Sequence, residues 1–172
     1  IFGPDDNRFD NKTNPANIDG HSHLINAQYV VMPELTLTAY SYLLGLDNIA
    51  ASNASPLGSL ASQTNGLRAN GTLGAFSYAA EYAQQKDYAD NPLDLDSDYY
   101  LAELGYTWQG VLFKGGYEVL GGDDGAGNRA FQTPLATKHA FQGWADVFLT
   151  TPADGIEDAY VGVTAPLWGG QL

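Results

Sequence analysis

Residues 98–120, DYYLAELGYTWQGVLFKGGYEVL, decide the fold. Large apolar and aromatic side chains alternate with small or charged ones on both sides of the pair Gln109-Gly110. Alternation with a period of two is typical of β-strands, and a two-residue turn that contains Gly joins antiparallel strands. The stretch therefore predicts a β-hairpin whose aromatic face carries Tyr100, Leu104, Tyr106, Trp108, Val111, Phe113 and Tyr117.

The same alternation continues outward and predicts seven strands, at about residues 21–32, 35–46, 64–70, 75–85, 98–108, 111–120 and 158–165. The connections between them run short, long, short, long, short and very long. Tight turns on one side and long loops on the other are typical of up-and-down outer-membrane barrels. The sequence predicts an all-β fold, an antiparallel up-and-down meander of about seven to eight strands. This would be a partial transmembrane β-barrel, a single segment over 1–172 with a long outer loop at 121–157.

The two faces of the predicted strands differ in chemistry. One face of the fourth to sixth strands is rich in aromatic residues, whereas the other carries charges. A small soluble barrel needs an apolar interior, so an aromatic outside with a charged inside favours a membrane barrel. A two-layer soluble sheet with one wet face is the alternative. The candidate lumen or selectivity residues are Arg68, Glu81, Glu103, Lys114 and Glu118, unless these only pair across strands and solvate the wall.

Composition narrows the classes of partner. Twenty acidic residues against seven basic ones argue against nucleic acid, because phosphate binding needs clustered Lys and Arg. The same imbalance argues against an anionic polysaccharide as cargo unless another part of the barrel supplies cations. The absence of Cys excludes disulfides and thiolate metal sites, and no apolar run reaches the length of a transmembrane helix.

The long loop is unusually apolar for a connection. Aromatic side chains such as Phe131, Phe141, Trp144 and Phe148 are not expected to stay in water. We expect them to fold into the barrel mouth as a plug or constriction, or to form a small core of the loop itself. The candidate residues for constriction or sugar contact are Phe131, His139, Phe141, Trp144, Asp146 and Phe148.

Several short segments carry a resemblance to a known family. They are residues 117–122 (YEVLGG), 131–137 (FQTPLAT), 139–146 (HAFQGWAD), 148–152 (FLTTP) and 155–158 (GIED), together with 1–4 (IFGP) and 35–42 (LTLTAYSY). In these segments the chain resembles the alginate-export-like family of proteobacterial outer-membrane porins. The resemblance spans most of the chain, and its most specific part is the long loop.

The resemblance implies a place and a role. The chain would be a segment of the C-terminal half of a larger barrel in the bacterial outer membrane, in contact with lipid. It would carry small or oligomeric solutes, saccharides among them, by passive transport. Single-chain bacterial barrels use an even number of strands from eight upward, so seven strands are not expected to close one alone. Its partner would be the remainder of a larger barrel or, alternatively, further copies in a homo-oligomer.

Other functions leave few traces in the sequence. No catalytic constellation is present, and we expect no enzyme activity and no cofactor. Asp94, Asp96 and Asp98 alternate and suggest a calcium site, with solvated loop acids as the alternative. A second class of function is a surface or secreted β-rich structural or interaction module, which self-assembles through unpaired edge strands.

Overall fold

The computed structural model describes residues 20–46, 61–123, 127–135, 150–167 and 170–171. Seven antiparallel strands form one sheet in chain order, β1 to β7, and β1 and β7 are its edges. A two-stranded hairpin of β8 and β9 follows, and the described residues contain no helix. The strands are β1 Gly20–Met32, β2 Leu35–Leu46, β3 Ser62–Leu73, β4 Phe76–Asp87, β5 Asp96–Trp108, β6 Val111–Leu120, β7 Ile156–Thr164, β8 Pro166–Leu167 and β9 Gly170–Gln171. The predicted all-β up-and-down meander is confirmed.

The short connections all lie at one end of the sheet, the turn end. Gly74 has a φ of 60° before Ala75, and Gln109 and Gly110 have φ values of 50° and 82°. Positive φ at the first or at both central residues gives the turn types whose twist matches paired strands. The connections after β2, β4 and β6 lie at the opposite end, the loop end, which fits the predicted order of short and long connections.

Several predicted strand boundaries differ from the structure by one to three residues; β3, for example, begins at Ser62 rather than at residue 64, and β7 at Ile156 rather than at residue 158. Residues 71–74 were expected to form a turn, but β3 continues to Leu73, which pairs with Phe76. Residues 86–97 were expected to form a loop, but β4 continues to Asp87 and β5 begins at Asp96. The reason is that Lys86 pairs with Asp96 in the ladder, so polar residues at the loop end still belong to strands.

Register assigns every strand residue to a face, because directly paired residues point to the same side of a sheet. We call one side the charged face. It includes the row Thr38, Arg68, Glu81, Leu101, Glu118 and Asp158, which are paired in succession across β2 to β7. The other side is the apolar face. It includes the row Phe76, Tyr106, Phe113 and Val163, paired across β4 to β7.

The buried core lies on the charged face at the loop end. Phe131, from the long connection after β6, packs with Ala83 and Leu120. Tyr40, Tyr99 and Ile156 border this cluster. The core is therefore small and sits between the sheet and a loop, while the apolar face has no layer of the described residues upon it.

Candidate functional site: the charged face and the loop seated on it

The apolar face is exposed from the turn end of the strands to the loop end. Near its middle, Leu67 is 54% exposed, Leu104 59% and Val161 93%. A contiguous exposed apolar surface of this kind marks contact with a membrane or with another protein. Aromatic side chains stand at both ends of it, Tyr82, Tyr100 and Tyr117 toward the loop end and Phe76, Tyr106, Trp108 and Phe113 toward the turn end.

The distance between the two aromatic rows can be compared with the apolar band of an outer-membrane barrel. Tyr100 and Trp108 are eight positions apart on β5, which is about 26 Å along an extended strand. A tilt of about 40°, usual for barrel strands, reduces this to roughly 20 Å, against an apolar band of about 25 Å in outer-membrane barrels. The separation to Trp108 is therefore about 5 Å smaller than that band, and the separation to Tyr106, in the row with Phe76 and Phe113, is smaller still.

On the charged face, a first cluster joins β2, β3 and β4. The Arg68 guanidinium lies 2.6 Å from Glu81 Oε2, and the Tyr40 hydroxyl donates to Glu81 Oε1 at 2.6 Å. The Tyr40 ring covers Gly66 so closely that a Cβ there would lie 2.2 Å from ring atom Cζ. Because Gly66 has no side chain, the Tyr40 ring can lie flat on β3, and its hydroxyl reaches Glu81 two strands away.

A second cluster repeats this arrangement across β7, β6 and β5. Lys114 Nζ lies 2.7 Å from Glu103 Oε2, and the Tyr160 hydroxyl donates to the same oxygen at 2.7 Å. The Tyr160 ring covers Gly116, where a Cβ would lie 2.3 Å from it. In both clusters a middle strand supplies the Gly and the cation, and the strands beside it supply the Tyr and the Glu.

Carboxylates outnumber cations on this face. Tyr99 donates to Glu118 Oε1 at 2.6 Å, and Glu118 pairs in register with Asp158. In the described strands, the charged face carries two basic and five acidic residues. The basic residues are Arg68 and Lys114, and the acidic ones are Glu81, Asp87, Glu103, Glu118 and Asp158. Fixed negative charge along a wall raises the local concentration of cations.

The described part of the long loop folds onto the charged face. Phe131 is only 5% exposed, and its ring lies 5.4 Å from that of Tyr99. Ala130 is fully buried beside it. The loop backbone is anchored to the end of β6 by the Phe131 N–H, which donates to the Gly121 carbonyl at 2.8 Å. A segment of loop thus occupies the face that carries the charges.

Next to Phe131 the contact between the loop and the charged face becomes polar. The buried residues there are Ser62, Thr64, Gln85, Ser97, Gln132 and Thr151. Gln85 accepts from the Gln132 N–H at 2.8 Å and donates to the Gln132 carbonyl at 2.9 Å. The Gln132 amide in turn donates to the Thr151 carbonyl at 3.0 Å. These bonds tie the loop segments 127–135 and 150–155 to each other and to β4.

The residues predicted for the lumen come together on one face, in two ion pairs, and each of the three glutamates also accepts a hydrogen bond from a Tyr hydroxyl. Of the six loop residues predicted for constriction or sugar contact, Phe131 lies on that face. His139, Phe141, Trp144, Asp146 and Phe148 lie outside the described residues. Asp96 and Asp98 lie on the apolar face at the loop end, where Asp96 accepts from Gln84 at 3.0 Å and Asp98 from Tyr82 at 2.8 Å.

Sequence reasoning missed the neutral members of the site. Tyr40, Tyr99 and Tyr160 act as hydroxyl donors to carboxylates, and Gln85 and Gln132 hold the loop. The alternation does place Tyr40, Gln85 and Tyr99 on the charged side of their strands. A large polar but uncharged side chain among small residues, as at Gln85 beside Ala83, was the available signal.

Within the described ranges, no group of three or more His, Asp or Glu residues could hold a metal ion. The part of the chain that the structure describes has no helix long and apolar enough to cross a membrane. Comparisons with protein-family models, curated proteins and solved structures give no match.

Proposed function

We propose that the chain forms part of the wall of an outer-membrane channel for passive transport of small or oligomeric solutes, saccharides among them. One observation carries the proposal. A single sheet exposes an apolar face bounded by aromatic rows and carries ion pairs on its other face. That combination suits a wall between lipid and an aqueous lumen, because lipid-facing and lumen-facing residues alternate along transmembrane strands.

The loop supports the same proposal. In a channel, the charged face is the lumen wall, so a segment seated upon it narrows the passage. Phe131 and Gln132 are buried against that wall by described contacts with β4, β5 and β6. We propose that the connection between β6 and β7, predicted as residues 121–157 and ended in the structure by the start of β7 at Ile156, forms the constriction, and that transport is passive and needs no cofactor.

The charges favour neutral or cationic solutes over anionic ones. Each described cation of the charged face is already engaged by a carboxylate within 2.7 Å. The excess of carboxylates on that face would repel an anionic chain in a narrow passage. The proposal therefore keeps the membrane location and the channel architecture suggested by the resemblance, but not alginate as the solute.

Single-channel recording tests the proposal directly. The full-length natural gene product, refolded from detergent into a planar bilayer, is expected to give stable conductance steps. Deletion of residues 131–149 is expected to raise the conductance, because the constriction is removed. A folded protein that inserts into the bilayer and gives no conductance would overturn the channel.

A second candidate is a surface or secreted module that self-assembles. It is favoured by the two edges of the sheet, β1 and β7, which pair with no further strand among the described residues, and twelve of the thirteen residues of β1 are exposed. Unpaired edge strands recruit further strands. Solubility separates the two candidates: an ordered oligomer that stays in aqueous solution without detergent supports the module, whereas precipitation without detergent and folding in lipid support the channel.

A further inference from the structure

Gln85 forms an unusual contact between wall and loop. Its side chain is only 1% exposed and lies on the charged face of β4, paired in register with Thr64 and Ser97. Its amide oxygen accepts from the Gln132 N–H at 2.8 Å, and its amide nitrogen donates to the Gln132 carbonyl at 2.9 Å. The side chain thus satisfies both main-chain groups of one loop residue, as a neighbouring strand would.

The same amide is also fixed from the wall side. Gln85 Nε2 donates to Thr64 Oγ1 at 2.9 Å, so the orientation of the amide is determined by β3 as well as by the loop. A buried amide with three described hydrogen bonds has little freedom to rotate. It offers the loop a preformed donor and acceptor at one place on the wall.

Apolar packing accounts for only part of the contact between the loop and the charged face. The apolar part is Phe131 on Ala83 and Leu120, bordered by Tyr40, Tyr99 and Ile156. The rest of the contact is polar, and among the described residues the buried hydroxyls of Ser62 and Ser97 have no hydrogen-bond partner. Polar groups gain little from leaving water unless their bonds are replaced. The position of the loop on the charged face therefore depends on the hydrogen bonds that Gln85 and Gln132 form there.

We infer that Gln85 is a positioning residue that holds residues 127–135 against the charged face and so sets the width of the passage. The inference rests on the proposed channel for its functional meaning. Without the Gln85 amide, the Gln132 N–H and carbonyl would be buried without these partners. The segment would recover hydrogen bonds by moving into water and away from the wall.

Because the chain has no Cys, a single introduced thiol can report whether residues 127–135 stay packed on the charged face. Ala130 is fully buried and close to Cys in size, so Ala130→Cys places one thiol under the seated loop. In folded protein in lipid vesicles, a membrane-impermeant maleimide is expected to react slowly with this thiol. Adding Gln85→Leu, which keeps the volume but removes the amide, is expected to raise the labelling rate about tenfold or more, as for loss of two hydrogen bonds worth ~1 kcal/mol each.

Gln84→Leu is the matched control. Gln84 is the neighbouring residue of the same type, but it lies on the apolar face and bonds Asp96. It is expected to leave the labelling of Ala130→Cys unchanged. If Gln85→Leu fails to fold, Gln85→Met replaces it, because Met is unbranched like Gln at the same positions and lacks the amide that bonds Gln132. A raised labelling rate is then expected as for Gln85→Leu.

Conductance gives the functional readout. Gln85→Leu is expected to give a higher or fluctuating conductance, and Gln84→Leu the conductance of the natural protein. If the natural protein conducts and Gln85→Leu changes neither conductance nor labelling, the inference is overturned and the channel stands. If the natural protein does not conduct but Gln85→Leu exposes the Ala130→Cys thiol, the channel is overturned and the positioning role of Gln85 stands.

Discussion

The apolar and the charged face are built by the same seven strands, yet they differ in how their side chains are satisfied. On the apolar face the large side chains are exposed, and Val161 at 93% is the extreme case. On the charged face, three glutamate carboxylates accept hydrogen bonds from Tyr hydroxyls at 2.6–2.7 Å. Segments of the long loop cover the loop end of this face. Among the described strands, the charged face exposes large apolar side chains only on β1, at Leu24 and Val30, whereas the apolar face exposes them on β1 and on β3 to β7 and needs a surrounding medium. This difference is the reason for proposing lipid on one side and solute on the other.

The largest effect is expected from a charge placed in the middle of the apolar face. Leu104→Arg puts a guanidinium between the two aromatic rows, where contact with lipid would lower the free energy of unfolding by ~2–4 kcal/mol. Leu101→Arg is the control, because Leu101 lies on the same strand but on the charged face between Glu81 and Glu118. Urea titration in lipid vesicles, followed by Trp fluorescence, measures both. Equal stability of the two variants would contradict the assignment of lipid to the apolar face.

The second-largest effect on stability is expected when one carboxylate on the charged face is neutralised and compared with one on the apolar face. Glu81→Gln removes the charge that Arg68 and the Tyr40 hydroxyl share, and we expect a loss of about 1–3 kcal/mol in unfolding free energy. Glu157→Gln affects an exposed carboxylate at the rim of the apolar face, bonded to the Tyr117 hydroxyl at 3.0 Å, and should change stability little. The same urea titration applies. A larger loss for Glu157→Gln than for Glu81→Gln would reverse the comparison.

Two consecutive tyrosines sharpen the comparison further. The Tyr99 hydroxyl bonds Glu118 at 2.6 Å on the charged face, whereas Tyr100 reaches Asp98 at only 3.4 Å on the apolar face. Tyr99→Phe is expected to cost about 1–2 kcal/mol, because a partly buried carboxylate loses a donor. Tyr100→Phe is expected to leave stability nearly unchanged. Thermal unfolding of the two single variants in the same lipid is the measurement, and indistinguishable midpoints would count against it.

The smallest effect is on ion selectivity. Asp158→Asn removes one carboxylate from the charged face and should lower the ratio of cation to anion permeability by a factor of about two to five, as a unit charge in water contributes ~1 kcal/mol at 4 Å. Asp98→Asn removes a carboxylate from the rim of the apolar face and should leave the ratio as it is. Reversal potentials in a KCl gradient report the ratio. An equal shift in both variants would show that the charged face is not the conducting wall.

Alternation of side chains allowed the strands to be predicted, because a β-strand with two different surroundings imposes a period of two. It predicted β2 and β6 to the residue, where Pro33 and Gln109-Gly110 mark the ends clearly. It ended β3 too early at Asn70, since the next three residues, 71–73, still pair with β4. Gly was taken as a turn there, but only Gly74 adopts positive φ.

The site was predictable only where it is charged. Glu81 and Glu103 stand out against aromatic neighbours, so their shared face could be inferred. The partners that fix them, Tyr40 and Tyr160, come from strands 41 and 57 positions away in sequence, and only the register brings them together. The bond between Gln85 and Gln132 joins a strand to an irregular loop 47 residues away, for which no periodic pattern exists.

The order of the strands has a consequence for closure. β1 and β7 both begin at the loop end and finish at the turn end, so the two edges of the sheet point in the same direction. Antiparallel hydrogen bonding cannot join two edges of equal polarity directly. An odd number of further strands must lie between them in any closed antiparallel ring, whichever molecule supplies those strands. A parity rule of this kind can be checked by cross-linking Cys residues introduced along β1 and β7, which should never join the two edges of one sheet in a folded channel.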